Sequence, residues 1–156
     1  MRVLLIDDHT LVRKGLEQLL QSRGVEIAAS VGSGREGVSE AQTLKPDIIL
    51  LDMKMPDMNG TETLKQLRAA GVTAPILMLT MSREEQDLQA ALRNGAQGYL
   101  LKDMDPEDLV PALQDALLGI NVVAKELIGS LTRLVQGQSG RSAAKTTSAD
   151  LLTELT

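Results

Sequence analysis

Residues 47–52 read Asp47-Ile48-Ile49-Leu50-Leu51-Asp52, four apolar side chains held between two acids. Successive side chains on a strand point to opposite faces, so a run that is apolar at every position must bury both faces. That is the pattern of a strand inside a parallel sheet with helices above and below it. Short apolar runs of the same kind lie on either side: Val3 to Ile6, Glu26 to Val31, Pro75 to Leu79 and Gly98 to Leu101, bounded by Gly, Pro or Asp. The stretches between them carry helix-start signals. Ser33-Gly34-Arg35-Glu36, Asn59-Gly60-Thr61-Glu62 and Ser82-Arg83-Glu84-Glu85 each place a capping side chain three residues before a glutamate. Asp105-Pro106-Glu107-Asp108 puts proline at the first helical position and acids in the first turn. Strand and helix therefore alternate five times, which predicts an α/β fold: a five-stranded, doubly wound parallel sheet of order 2-1-3-4-5 with helices on both faces.

Composition narrows the classes of function. Of the 156 residues 43% are apolar, but there is no Phe or Trp, so the core must be built from Leu, Ile, Val, Met and Ala, and Tyr99 is the single aromatic. The absence of Cys excludes a disulfide scaffold and thiolate metal sites, suits a reducing cytoplasm and argues against zinc. No apolar stretch approaches the roughly 20 residues of a membrane span, and the N-terminus lacks a signal-peptide pattern. A net charge of −5 with scattered acids leaves no basic face for nucleic-acid phosphates. We expect a cytoplasmic protein that binds neither membrane nor, by itself, DNA.

The alternation ends near Asn121. Leu127, Leu131, Leu134 and Val135 recur at helical spacing without a following strand. Next comes Gln136 to Ala149, small and polar, with too little apolar surface to offset the entropy of ordering it. Asp150-Leu151-Leu152-Thr153-Glu154-Leu155-Thr156 then resumes an apolar pattern. The expected division is a domain over 1–121, a linker helix over 122–136, a flexible linker over 137–149 and the start of a truncated second domain over 150–156.

In a sheet of that order, strands one and three are neighbours whose connections leave in opposite directions, opening a crevice at their carboxyl ends. Asp7 and Asp8 end the first strand and Asp52 the third, so three carboxylates are expected to meet there. Like charges at the edge of a core repel and lose hydration unless a positive group joins them. Oxygen-only ligands, without His or Cys, favour magnesium. Thr80 and Lys102, at the ends of strands four and five, add a hydroxyl donor and an ammonium. Any one of these residues alone reads as a cap or a solvated charge. Together they form the environment that neutralises a phosphoryl group, with an aspartate able to serve as nucleophile. His9 is expected at the start of the first helix, pointing outward. The seven methionines, Met53 and Met55 included, read as core filler, and Pro56 and Gly60 as shapers of the loop after strand three.

Ile6-Asp7-Asp8-His9, the stretch Leu50 to Gly60, the threonine ending strand four and Gly98-Tyr99-Leu100-Leu101-Lys102-Asp103 resemble the receiver domain of two-component response regulators, from about Arg2 to Gly119. Within that family the chain most resembles the NarL/FixJ class and its nitrate/nitrite regulators. The resemblance implies a flavodoxin- or CheY-like fold, with Asp52 as phosphoacceptor, Asp8 as a direct magnesium ligand, Asp7 acting through a metal-bound water and Lys54 giving its backbone carbonyl. It makes Thr80 and Lys102 partners of the phosphoryl group and Thr80 and Tyr99 the switch pair. It further implies a sensor histidine kinase as donor and no enzymatic turnover beyond self-catalysed transfer and slow autodephosphorylation. A C-terminal helix-turn-helix domain, absent here, would bind DNA, and homodimerisation on phosphorylation is left open. One departure is Asp103, standing where many receivers have proline. Three alternatives use parts of the same pattern: a magnesium-dependent phosphohydrolase, which wants an acid at position 54; a flavin-binding protein, which wants a phosphate loop after strand one; and a pseudo-receiver that binds partners without phosphorylation.

Overall fold

The computed structural model describes residues 1–138. Six parallel strands, β1 (Arg2–Ile6), β2 (Glu26–Val31), β3 (Ile48–Leu51), β4 (Ile76–Thr80), β5 (Gly98–Leu101) and β6 (Val122–Val123), form one sheet of order β2-β1-β3-β4-β5-β6. Between them run helices α1 (Thr10–Ser22), α2 (Gly34–Leu44), α3 (Gly60–Ala69), α4 (Glu85–Arg93) and α5 (Leu109–Leu117), and α6 (Ile128–Gln138) follows the last strand. The side chains of β3 divide as their alternation requires. Ile48 and Leu50 pack with Leu20 of α1 and Leu113 of α5, whereas Ile49 and Leu51 pack with Leu64 and Leu67 of α3. Val3 and Leu5 of β1 follow the first set, and Leu4 and Ile6 the second. Both faces of the central strands are therefore dry.

The sixth strand corrects the expected five. Gly119, at φ 87°, turns the chain back after α5. Val122 and Val123 then pair with Gly98 and Tyr99 on the open edge of β5. The Val122 N–H donates to the Gln97 carbonyl and the Ala124 N–H to that of Tyr99. Two residues are too few for a period-2 signal, and the free edge rather than local pattern makes this a strand. For the same reason the helix expected over 122–136 begins only at Ile128, after a single turn at Lys125–Leu127. The segment 139–156, holding most of the expected linker and all of the expected second domain, lies outside the described residues.

Two of the capping signals act as read: the Ser33 side chain accepts from the Glu36 N–H, and that of Asn59 from the Glu62 N–H. The third does not. Helix α4 is capped at Glu84 without a side-chain bond, because Ser82 is drawn to other partners described below.

Helix α3 starts against the loop that follows β3. The Gly60 N–H donates to the Met53 carbonyl at 2.7 Å, and a Cβ at position 60 would sit 2.4 Å from the Asp52 carbonyl oxygen and 2.7 Å from the Met53 Cα. Those obstacles are backbone and cannot rotate away. Gly60→Ala is expected to destabilise the protein by about 2–3 kcal/mol; an unchanged urea midpoint would show that the loop yields freely.

Candidate functional site

The parallel register of β1 and β3 pairs Ile6 with Leu51, so the residues following each strand emerge side by side. Asp52 donates its backbone N–H to the Ile6 carbonyl at 2.9 Å, and Asp7 donates to that of Val31 at 3.1 Å. Both carboxylates are buried, Asp52 at 3% and Asp7 at 4% exposure, while Asp8 is partly open.

The positive group among them is Lys102. The first residue beyond β5, it donates its backbone N–H to the Thr80 carbonyl and reaches across the sheet end. Its ammonium lies 2.7 Å from Asp7 Oδ2 and 3.1 Å from Asp52 Oδ2. Asp52 Oδ1 accepts from the Met53 N–H at 2.8 Å. Asp52 Oδ2 has the ion pair with Lys102 but no aligned hydrogen bond, and Asp8 Oδ1 has no hydrogen bond either. Burial pushes the Asp52 carboxyl above the ordinary carboxylate range; Lys102 opposes the shift and Asp7 adds to it. The Lys102–Asp103 peptide is trans.

His9 corrects the outward orientation expected for it. Its N–H donates to Asp7 Oδ1 at 2.9 Å, closing a turn that folds the ring back over the acids. Nδ1 then lies 3.1 Å from Asp7 Oδ1, 3.5 Å from Asp8 Oδ1 and 3.6 Å from Asp52 Oδ2. An aspartate two residues before the histidine was the available signal, since that spacing permits such a turn.

Thr80 and Tyr99 are buried and act one layer away from the acids. The Thr80 hydroxyl accepts from the Ser82 N–H at 3.2 Å, and the Tyr99 hydroxyl donates to the Ser82 carbonyl at 3.1 Å. Burial pushes the phenol up to about 12 despite that hydrogen bond. The Ser82 hydroxyl donates to Asp87 Oδ2 at 2.5 Å, which also receives the Lys54 ammonium at 3.3 Å. The loop after β3, the loop after β4 and helix α4 are thereby linked. Sequence reasoning had no means of finding the Lys54–Asp87 pair, which joins residues on different helical connections. On its far side α4 holds α6, through Arg133 Nε to Glu85 Oε1 at 2.9 Å. Leu127 and Leu131 are buried in the same cluster as Tyr99.

The acid pocket fits a hard divalent cation. Each of Asp7, Asp8, His9 and Asp52 offers one ligand atom, all within 4.8 Å of one another. Asp8 Oδ1 and Asp52 Oδ2 carry no aligned hydrogen bond, so a cation could complete them, with Asp52 Oδ2 exchanging part of its ion pair with Lys102 for the metal. Among the described residues no helix is long and apolar enough to cross a membrane.

Known proteins resemble this chain in sequence and fold. The response regulator receiver domain family matches residues 3–114. The nitrate/nitrite response regulator protein NarL of Escherichia coli (strain K12) is 44% identical over 126 residues, covering 80% of this chain and 58% of that protein. A nitrate/nitrite response regulator protein homolog of Haemophilus influenzae is 43% identical over 132 residues, covering 84% of this chain and 63% of its own length. The chain thus spans about three fifths of these relatives. The crystal structure of a LuxR-family two-component response regulator from Aurantimonas sp. SI85-9A1 superposes with a TM-score of 0.80 at 29% identity, over 85% of this chain and 95% of that one.

Proposed function

The chain belongs to the response regulator receiver family, and from that membership and the pocket's geometry we propose that it is a phosphorylation switch with Asp52 as its phosphoacceptor. The observation that carries this reading is Asp52 Oδ2, a buried carboxylate oxygen without an aligned hydrogen bond, beside the Lys102 ammonium at 3.1 Å. Its lone pair attacks phosphorus of a phosphohistidine on a sensor kinase; the new O–P bond forms as the N–P bond breaks, and the kinase imidazole leaves with that electron pair. Asp8, Asp52 and the Lys54 carbonyl, with Asp7 acting through water, would hold magnesium. When bound, magnesium supplies neutralisation of charge on the transferring group. Lys102, already lying between Asp7 and Asp52, follows the phosphoryl oxygens once Asp52 is esterified.

The output runs through Thr80. Its hydroxyl proton is directed to a phosphoryl oxygen, which draws on the Ser82 N–H that the hydroxyl now accepts. Ser82 also holds the Tyr99 phenol and Asp87, so the strain falls on the β4–α4 loop and on α4, against which α6 rests. Phosphate shifts a pre-existing balance between two packings, and inverting it from 1:99 to 99:1 takes about 5.5 kcal/mol of differential stabilisation. We assign residues 1–121 to the receiver and α6 to the connection with a helix-turn-helix output domain, through which DNA, and by likeness to the relatives above nitrate- or nitrite-responsive genes, would be reached. The protein on this reading turns over no substrate beyond transferring and slowly hydrolysing its own phosphoryl group.

Tyr99 provides a direct test, because no tryptophan masks its emission. Magnesium with fluoroberyllate, a phosphoryl mimic, is expected to change the Tyr99 fluorescence saturably at one equivalent. An emission indifferent to both, separately and together, would refute the switch.

A further inference from the structure

We propose that Arg13, a residue outside the acid cluster, is a positioning residue for it: its guanidinium fixes the peptide between Asp7 and Asp8 and so aims the Asp8 carboxylate. This rests on reading the pocket as the seat of cation-assisted phosphoryl transfer. Strands β1 and β2 pair as far as Ile6 and Val31, and the Asp7 N–H still donates to the Val31 carbonyl. Beyond that point the chain leaves the sheet through Gly32 and Ser33 to enter α2. With the ladder ended, the Asp7 carbonyl needs another donor. Arg13 supplies it, Nη1 donating to the Asp7 carbonyl oxygen at 2.6 Å in a part-buried contact.

Local geometry makes this contact specific. Arg13 stands in the first turn of α1, its own N–H donating to the His9 carbonyl at 2.9 Å. Helical side chains lean toward the helix N-terminus, which carries this one back over the β1–α1 connection. Its path runs past Gly32, where a Cβ would stand 3.3 Å from Nη1 and 3.9 Å from Cζ. Nε is buried without a hydrogen-bond partner. Leaving a charged donor unpaired costs stability, so the arm is held in place by its tip rather than along its length. The tip matters to the site because a peptide is planar. The Asp7 C=O, the Asp8 N–H and both flanking Cα atoms share one plane, so fixing that oxygen fixes the direction in which the Asp8 side chain leaves the backbone. Groups that orient a metal ligand from behind govern affinity almost as strongly as the ligand itself.

Arg13 is also a positive charge beside a cation site, which makes the sign of the effect decisive. If charge were its whole contribution, removing it would tighten magnesium binding, since like charges would no longer repel. Loss of positioning weakens binding instead. Magnesium chloride is titrated into the full chain and its variants while the Asp8 and Asp52 amides are followed by NMR, with nitrogen relaxation measured in the metal-free state and melting in EDTA. Arg13→Met is expected to weaken magnesium about tenfold and to add motion at the Asp8 amide. Gly32→Val keeps the charge but blocks its path, and Gly32 lies outside the left-handed region, so the backbone accepts a side chain. It should move both readouts in the same direction. The double variant should bind no more weakly than Arg13→Met alone, because both changes remove one contact. Magnesium held by Arg13→Met as tightly as by the parent, or more tightly, would overturn the proposal even if the melting temperature fell, because a residue that only supports the fold moves stability and not affinity. A parent chain that takes up no magnesium would overturn the reading of the pocket and this proposal with it.

Discussion

Replacing Asp52 by asparagine is expected to reduce labelling by a small phosphodonor to background and, in the metal-free protein, to raise the melting temperature. The first effect follows from removing the nucleophile, since an amide oxygen cannot form the acyl phosphate. The second follows from burial. Asp52 binds its proton more tightly in the fold than in the unfolded chain, because its charge is removed from water and faces Asp7. At a pH below the ordinary carboxyl range, about 4, both states hold the proton. As pH rises, the unfolded chain releases it first, so native stability falls until the folded carboxyl has also ionised. Asparagine does not ionise and escapes that loss. The difference in Tm between Asp52→Asn and the parent, measured with EDTA, should therefore grow from pH 4 upward and then level off. Undiminished labelling would move the acceptor elsewhere. A variant less stable than the parent at pH 7 would mean that the Lys102 pairing outweighs the burial.

Lys102→Met should act in the opposite direction. The side chains of Lys102, Asp7 and Asp52 are each at most 6% exposed, so removing the ammonium leaves two buried carboxylates facing one another. Breaking a buried pair in this way costs about 3–5 kcal/mol, a large part of the stability of an ordinary domain. Adding Asp52→Asn to Lys102→Met should then restore more stability than Asp52→Asn adds to the parent, giving a coupling of about 1 kcal/mol or more. Magnesium should recover part of the loss in the single variant. Additive single effects in urea denaturation would show that the 3.1 Å contact has no energetic weight.

The amino-acid sequence by itself determined the parallel sheet and the position of Asp7, Asp8, Asp52, Thr80 and Lys102 at the carboxyl ends of its strands. Each follows from signals a few residues long: an apolar run such as Ile48 to Leu51 must bury both faces, and the residue after a strand must emerge at its end. Tertiary structure alone decided the rest. Whether Val122 and Val123 are strand or helix depended on the open edge of β5, more than twenty residues back in the chain. Ser82 left its expected capping role because Tyr99 and Asp87 claimed it, and Lys54 met Asp87 across two different connections. The turn at Asp7 swung His9 inward over the acids; the Asp-x-His spacing permits that turn, but only the packed strands bring Asp52 within reach of the ring. Periodicity records which face of an element is dry, but a polar contact depends on distances between segments, and those exist only once the layers have packed.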